Sequence, residues 1–237
     1  MFGFSICRLL LNKEKLIPIT KKKADFRPFL VKEQKLLMMA QESGDEAAQM
    51  RTVGEIVKNC TFNKIDKPDT MATFDIEYMF TQIRGKSVGE SIDVNLTCSE
   101  CEGKTKMNIN LSDISVDVPK VDNLVRLTDT ISVEMRYPPF KTFIDNFKEN
   151  VQETEFGFTV IRECISAVIS GEERIDINDV PSKDVEDFVD SMNNQQLQNI
   201  SKFVETILSL KKDIEFDCSH CGHHNEMTLQ GIQDFFT

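Results

Sequence analysis

The chain has 237 residues, 40% of them hydrophobic, which is enough to bury a sizeable core in one large domain or two small ones. Only 10 Gly and 7 Pro argue against long disordered tracts. The net charge of −11 is uneven, with nine Lys or Arg against three acids in residues 1–35 and nineteen against thirty-six in the remainder, and so acidic a body repels nucleic-acid phosphates and anionic membranes.

Residues 1–27 are predicted to be an extended basic arm. Its opening, MFGFSICRLLLNKEK, is apolar, but Arg8 interrupts the run and no small-residue cleavage site follows. Neither a signal peptide nor a membrane span is expected, and the chain is placed in a reducing cytoplasm. Pro18, Lys21-Lys22-Lys23 and Pro28 discourage regular structure. The arm is expected either to bind an acidic partner or to fold back on the acidic body, and to matter for partner contact more than for folding, so removing residues 1–20 should leave the fold standing.

Residues 28–87 are predicted to be helical. Leu30–Ser43 reads as one helix, and Ser43 with Glu46 as a capping box for the next. That second helix places Val53, Ile56, Val57 and Cys60 on one face, and a third repeats the spacing at Ile76, Met79, Phe80 and Ile83. The texture changes at Val88. Ile92, Val94 and Leu96 alternate with polar residues before CSECEG, and Met107, Ile109 and Leu111 alternate after it, which reads as a hairpin. Ile131–Pro138 alternates too. Residues 139–211 are predicted to be an inserted helical region, with stripes at Val160, Ile161, Cys164, Ile165, Val168 and Ile169, at Val185, Phe188, Val189 and Met192, and at Leu197, Ile200, Phe203, Val204, Ile207 and Leu208. Residues 212–237 return to strand and, with 88–138, form a split zinc-knuckle β region. The fold class expected is α+β: a helical N-terminal region, a split zinc-ribbon-like pair of β-hairpins and an inserted helical segment.

The chemistry lies in the two tips. Cys98 and Cys101 precede Met107 and Ile109 by the same spacings at which Cys218 and Cys221 precede Met227 and Leu229. This is an internal repeat of a hairpin with a cysteine knuckle. In a reducing compartment, paired CxxC turns signify metal more often than disulfide, and two knuckles supply the four thiolates of a closed, structural zinc site. Cys98, Cys101, Cys218 and Cys221 are therefore the expected ligands of a structural Zn2+. The glycines that follow, Gly222 and Gly103, are expected to supply the positive φ of each turn. His220, His223 and His224 offer a mixed-ligand alternative, though four cysteines suffice. Cys7, Cys60 and Cys164 lie in apolar stretches and read as core. There is no Gly-rich phosphate loop, and every histidine sits in the second knuckle. Asp184, Glu186 and Asp187 read as a solvated helix face. No enzyme activity and no small-molecule substrate are expected.

Two stretches go further than composition. FRPFLVKEQKLLMMAQESGD (Phe26–Asp45) and PDTMATFDIEYMFTQIRGKSVGE (Pro68–Glu90) resemble the baseplate proteins of T-even-type contractile-tailed bacteriophages, a family that includes the hub subunit and the hub assembly protein. The resemblance covers residues 17–140 and is weaker beyond them. It implies a hub subunit or hub assembly protein that acts through contacts with other baseplate hub proteins, in the host cytoplasm during assembly or in the virion baseplate. Aromatic and Arg anchors dominate such contacts, which makes Phe26, Arg27, Phe29 and Tyr78 the candidates. The alternative is a zinc-ribbon nucleic-acid-binding or transcription-regulating protein, but Glu100, Glu102, Asp217 and Glu226 flank the knuckles and no basic stripe accompanies them.

Overall fold

The computed structural model of the chain describes residues 13–89, 91–110, 121–149, 152–207 and 211–231. Cys7, the apolar start from Phe2 to Leu11, Leu111 and Leu208 lie outside the described residues. The chain divides into two compact units, one of Met1–Pro68, Phe74–Asp117 and Ser209–Thr237, the other of Asp69–Thr73 and Val118–Leu208. Seven α-helices and small antiparallel sheets among the described residues make an α+β fold.

Among the described residues the first unit opens with strand β1 (Lys13–Leu16) paired antiparallel to β2 (Lys23–Phe26). Residues 13–26 are thus a hairpin and not the extended arm that their lysines suggested. Period-two burial explains it: Ala24 and Phe26 are buried while Lys23 is exposed, and Ile17 is buried in the turn. The turn is closed by Lys21 N donating to Ile17 O at 2.9 Å and Ile17 N donating to Lys22 O at 2.8 Å. The amides of Ile19 and Thr20, left over in that turn, donate to the two oxygens of Asp75 at 2.7 and 3.0 Å. Asp75 is fully buried, and burial raises its pKa in spite of those two amides.

Three helices follow. Helix α1 (Val31–Ser43) ends at Gly44, which takes φ +66° as its left-handed cap. Helix α2 (Glu46–Cys60) starts on Asp45, whose side chain accepts from Ala48 N at 2.9 Å. The N-cap is therefore Asp45 and not Ser43, whose hydroxyl instead donates back to Ala40 O at 2.7 Å. Helix α2 buries Ala47, Met50, Val53, Ile56, Val57 and Cys60, and helix α3 (Thr73–Ser87) buries Phe74, Ile76, Met79, Phe80 and Ile83. The link between β2 and α1 is anchored by Arg27. Its guanidinium meets the carboxylate of Glu33 at 2.8 and 3.3 Å, and Glu33 also accepts from Leu30 N at 2.7 Å. Burial alone would raise the pKa of Glu33, but the hydrogen bonds from Arg27 and Leu30 outweigh it and hold the carboxyl below its usual value.

Two further hairpins belong to this unit among the described residues: β3 (Ser91–Thr97) with β4 (Lys104–Asn110), and, beyond the four strands of the second unit in chain order, β9 (Lys211–Asp217) with β10 (His224–Gln230). Their registers correspond at a constant offset, Thr97 facing Lys104 as Asp217 faces His224. Ile92, Val94, Leu96 and Ile109 are buried on the first hairpin, and Ile214, Phe216 and Leu229 on the second.

The second unit is a four-stranded antiparallel sheet in the order β5 (Leu124–Arg126), β6 (Ile131–Met135), β7 (Ile165–Ser170) and β8 (Glu173–Asp176). Helices α4 (Phe140–Glu149), α5 (Glu153–Cys164), α6 (Ser182–Asp190) and α7 (Asn194–Val204) accompany it. Val133, Met135, Val160, Cys164, Ile165, Val189, Ile200 and Phe203 form its core. The insertion is helical in α4 to α7 and also carries β7, which the helical stripe ending at Ile169 takes for helix, and β8. Helix α5 passes into β7 with no loop, Ile165 already being extended at φ −79°, ψ 123°. The apolar residues from Val160 to Ile169 fit the helical period and the strand period alike, so the sequence could not mark that junction.

Candidate metal centre

The repeat brings the two knuckles together in the first unit. Each knuckle is a short turn set by two backbone bonds. Cys98 N donates to Gly103 O at 3.0 Å and Glu102 N to Cys98 O at 3.1 Å; in the second knuckle Cys218 N donates to His223 O and Gly222 N to Cys218 O, both at 2.9 Å. The positive φ falls on the residue directly after the second cysteine, Gly222 at +73° but Glu102 at +56°. Gly103 does not supply it, which corrects the expectation. It is required for a different reason: a Cβ there would sit 2.7 Å from His220 Cδ2 and 3.1 Å from Cys101 Sγ.

The four sulfurs of Cys98, Cys101, Cys218 and Cys221 all lie within 4.8 Å of one another. Two pairs touch across the knuckles, Cys101 with Cys218 at 3.6 Å and Cys98 with Cys221 at 3.8 Å, and all four are free thiols. A tetrahedral ion with Zn–S bonds of about 2.3 Å requires sulfurs about 3.8 Å apart, so the spacing fits such an ion. Cys98 and Cys218 are buried, whereas Cys101 and Cys221 are exposed.

The electrostatics match a cluster that wants a cation. The amides of Cys221 and His220 aim at Cys218 and pull its thiol down to about 6, and the amides of Cys101 and Glu100 lower that of Cys98. Cys101 receives an amide from Gly103, yet the neighbouring sulfurs of Cys221 and Cys218 drive it up to about 12. Four adjacent thiols cannot all ionise by themselves. A divalent cation removes that conflict, since a coordinating thiol is deprotonated outright.

The knuckles are also locked to each other. Ser99 N donates to Asn225 Oδ1 and Ser219 N to Thr105 Oγ1, both at 3.0 Å. Asn225, buried at 6% exposure, is not singled out by the sequence, because a lone Asn on a strand belongs to no motif; aligning the two hairpins places it at the position equivalent to Thr105. The histidines take other roles in the structure. His220 Nε2 lies 3.3 Å from Lys104 O, and His224 Nδ1 lies 2.8 Å from Asp217 Oδ1, which raises its pKa.

The residues expected as partner anchors lie elsewhere in the first unit. Phe26 is 1% exposed and Arg27 7%, both engaged within the chain. Phe29 is half-buried against Phe80, with ring centroids 5.9 Å apart, and its amide donates to Ser87 Oγ at 2.7 Å. Tyr78 is half-buried too, and burial raises its pKa. Cys60 and Cys164 are fully buried, and burial pushes both thiols up to about 12. Such thiols are inert. No helix among the described residues is long and apolar enough to cross a membrane.

The family described as "T4 bacteriophage base plate protein" matches residues 11–237. No curated protein and no solved structure matches the chain. With nearly its whole length matched, the chain belongs to the T4 bacteriophage base plate protein family.

Proposed function

We propose that the chain works at the baseplate hub, as a hub subunit or a hub assembly factor, through protein–protein contacts and not through catalysis. Membership of the baseplate family over residues 11–237 is the observation that carries this reading. Its partners are other hub proteins, and it acts in the host cytoplasm during assembly; as a subunit it would remain in the virion baseplate. Cys98, Cys101, Cys218 and Cys221 hold one structural zinc ion in this proposal. Zinc bound there satisfies four sulfurs drawn from two hairpins far apart in sequence, so its binding energy becomes folding energy for the first unit. A tetrathiolate site leaves no open position for substrate, which agrees with a scaffolding role.

The test is affinity purification of the tagged chain from infected cells, with mass spectrometry of purified phage particles beside it. Recovery of hub proteins with the tagged chain is expected, and recovery of none would overturn the hub reading. Peptides of the chain in particles and lysate make it a subunit; peptides in lysate alone make it an assembly factor.

A further inference from the structure

We propose that Asn225 is a positioning residue of the metal site, holding the first knuckle in place and donating a hydrogen bond to the sulfur of Cys98. The inference rests on the zinc reading above. Asn225 is the second residue of β10 and faces Phe216, as Thr105, the second residue of β4, faces Leu96. Both reach the serine amide of the opposite knuckle at 3.0 Å. There the likeness ends. The one oxygen of Thr105 is occupied by Ser219, through its amide at 3.0 Å and its hydroxyl at 3.3 Å. Asn225 has a second arm. Its Oδ1 accepts from Ser99 N and Ser99 Oγ, both at 3.0 Å, while its Nδ2 donates to His223 O at 2.9 Å and to Cys98 Sγ at 3.6 Å.

The orientation of this amide is fixed by its partners. A backbone N–H can only donate and a backbone carbonyl can only accept, so Ser99 N takes the oxygen and His223 O takes the nitrogen. The same nitrogen therefore faces Cys98. Cys98 is 1% exposed, so its sulfur has little water to solvate a thiolate charge. An N–H directed at it stabilises that charge and fixes the sulfur's position. One residue thus closes its own turn through His223, clamps the other knuckle through Ser99 and sets one ligand.

The test uses the full chain, loaded with zinc or with cobalt(II), in wild type, Asn225→Asp, Asn225→Thr and Thr105→Val. Asn225→Asp keeps the shape and the acceptor for Ser99 but turns the donor into an anionic oxygen beside the sulfur. It should bind zinc about 10–100-fold more weakly in competition with a chromophoric chelator. Asn225→Thr copies the other hairpin and removes the donor without adding charge; it keeps the test open if the Asp variant does not fold. In both, the sulfur-to-cobalt charge-transfer band should move to longer wavelength, because a sulfur that has lost a donor is richer in electrons. Thr105→Val breaks the equivalent knuckle clamp and should leave the band in place. Asn225 variants with the wild-type band and wild-type zinc affinity, even if less stable, would reduce the residue to a structural role and overturn the proposal. Wild-type chain that takes up no metal would overturn the zinc reading itself, and that result is distinct from the first.

Discussion

Replacing Arg27 by Ala should destabilise the first unit by about 3–5 kcal/mol, because it strands a buried carboxylate. The side chain of Glu33 is 0% exposed and that of Arg27 only 9%, so their contacts at 2.8 and 3.3 Å are shielded from water. Two things soften the loss. Leu30 N still donates to Glu33 at 2.7 Å, and Lys32 Nζ lies 3.4 Å from the same carboxylate, though Lys32 is mostly exposed. The lower end of the range, about 3 kcal/mol, is therefore the expected value. The chain has no Trp and two Tyr, one in each unit, so the fluorescence of Tyr78 in a Tyr137→Phe background reports the first unit during urea denaturation. The pH dependence supplies an independent sign. The pKa of Glu33 is lowered in the fold, so its contribution is present above the unfolded value of 4.5 and is lost as pH falls through the lower folded value. In Arg27→Ala the hydrogen bond and charge of Arg27 are gone while burial stays, so the folded pKa moves up and the loss of stability on acidification should shrink relative to wild type. A loss below about 1 kcal/mol, or an acid limb identical to wild type, would refute a buried Arg27–Glu33 anchor.

Cys101→Ser should destabilise the chain far more than Cys60→Ser, whose buried hydroxyl costs about 1–3 kcal/mol, and a chelator should narrow the gap in thermal melts. Deleting residues 1–20 removes β1 and the amides that serve Asp75, each hydrogen bond to such a charged group contributing about 1.5–3 kcal/mol. A clear fall in melting temperature is expected, against the expectation from sequence, and an unchanged melt would restore the arm as dispensable. Gly103→Ala should cost about 1–3 kcal/mol in the metal-loaded protein because of the 2.7 Å approach to His220, and adding His220→Ala should recover most of it. A Gly103→Ala loss that His220→Ala does not relieve would point to the sulfur of Cys101, 3.1 Å from the added Cβ, instead.

What the sequence disclosed and what it hid follow from physical differences between particular residues. The cysteine spacing was legible because a knuckle and its strands impose fixed offsets, and two copies at the same offsets reinforce each other. The faces of α2 and α3 were legible for the same reason, since Val53, Ile56 and Val57 and Ile76, Met79 and Phe80 keep a single period. The hairpin at 13–26 was hidden by its lysines, because β1 and β2 are four residues each and their strongest anchor, Asp75, lies more than fifty residues away. Arg27 looked like a free anchor because nothing local announces that Glu33, six residues on, is buried with it. The turn glycines misled in a smaller way. The sequence suggests that a glycine near a CxxC supplies positive φ, but Glu102 takes that conformation, and Gly103 is kept small by a histidine from the other hairpin. Long-range contacts of this kind leave no periodicity to read.

The most direct test of the central claim is zinc analysis of the purified full chain, prepared without chelator, combined with X-ray absorption at the zinc edge. Expected is one zinc per chain with four sulfur neighbours at about 2.3 Å, and loss of that shell in Cys218→Ser. Less than about a tenth of an equivalent, or a shell containing imidazole nitrogen, would contradict a tetrathiolate site built from Cys98, Cys101, Cys218 and Cys221.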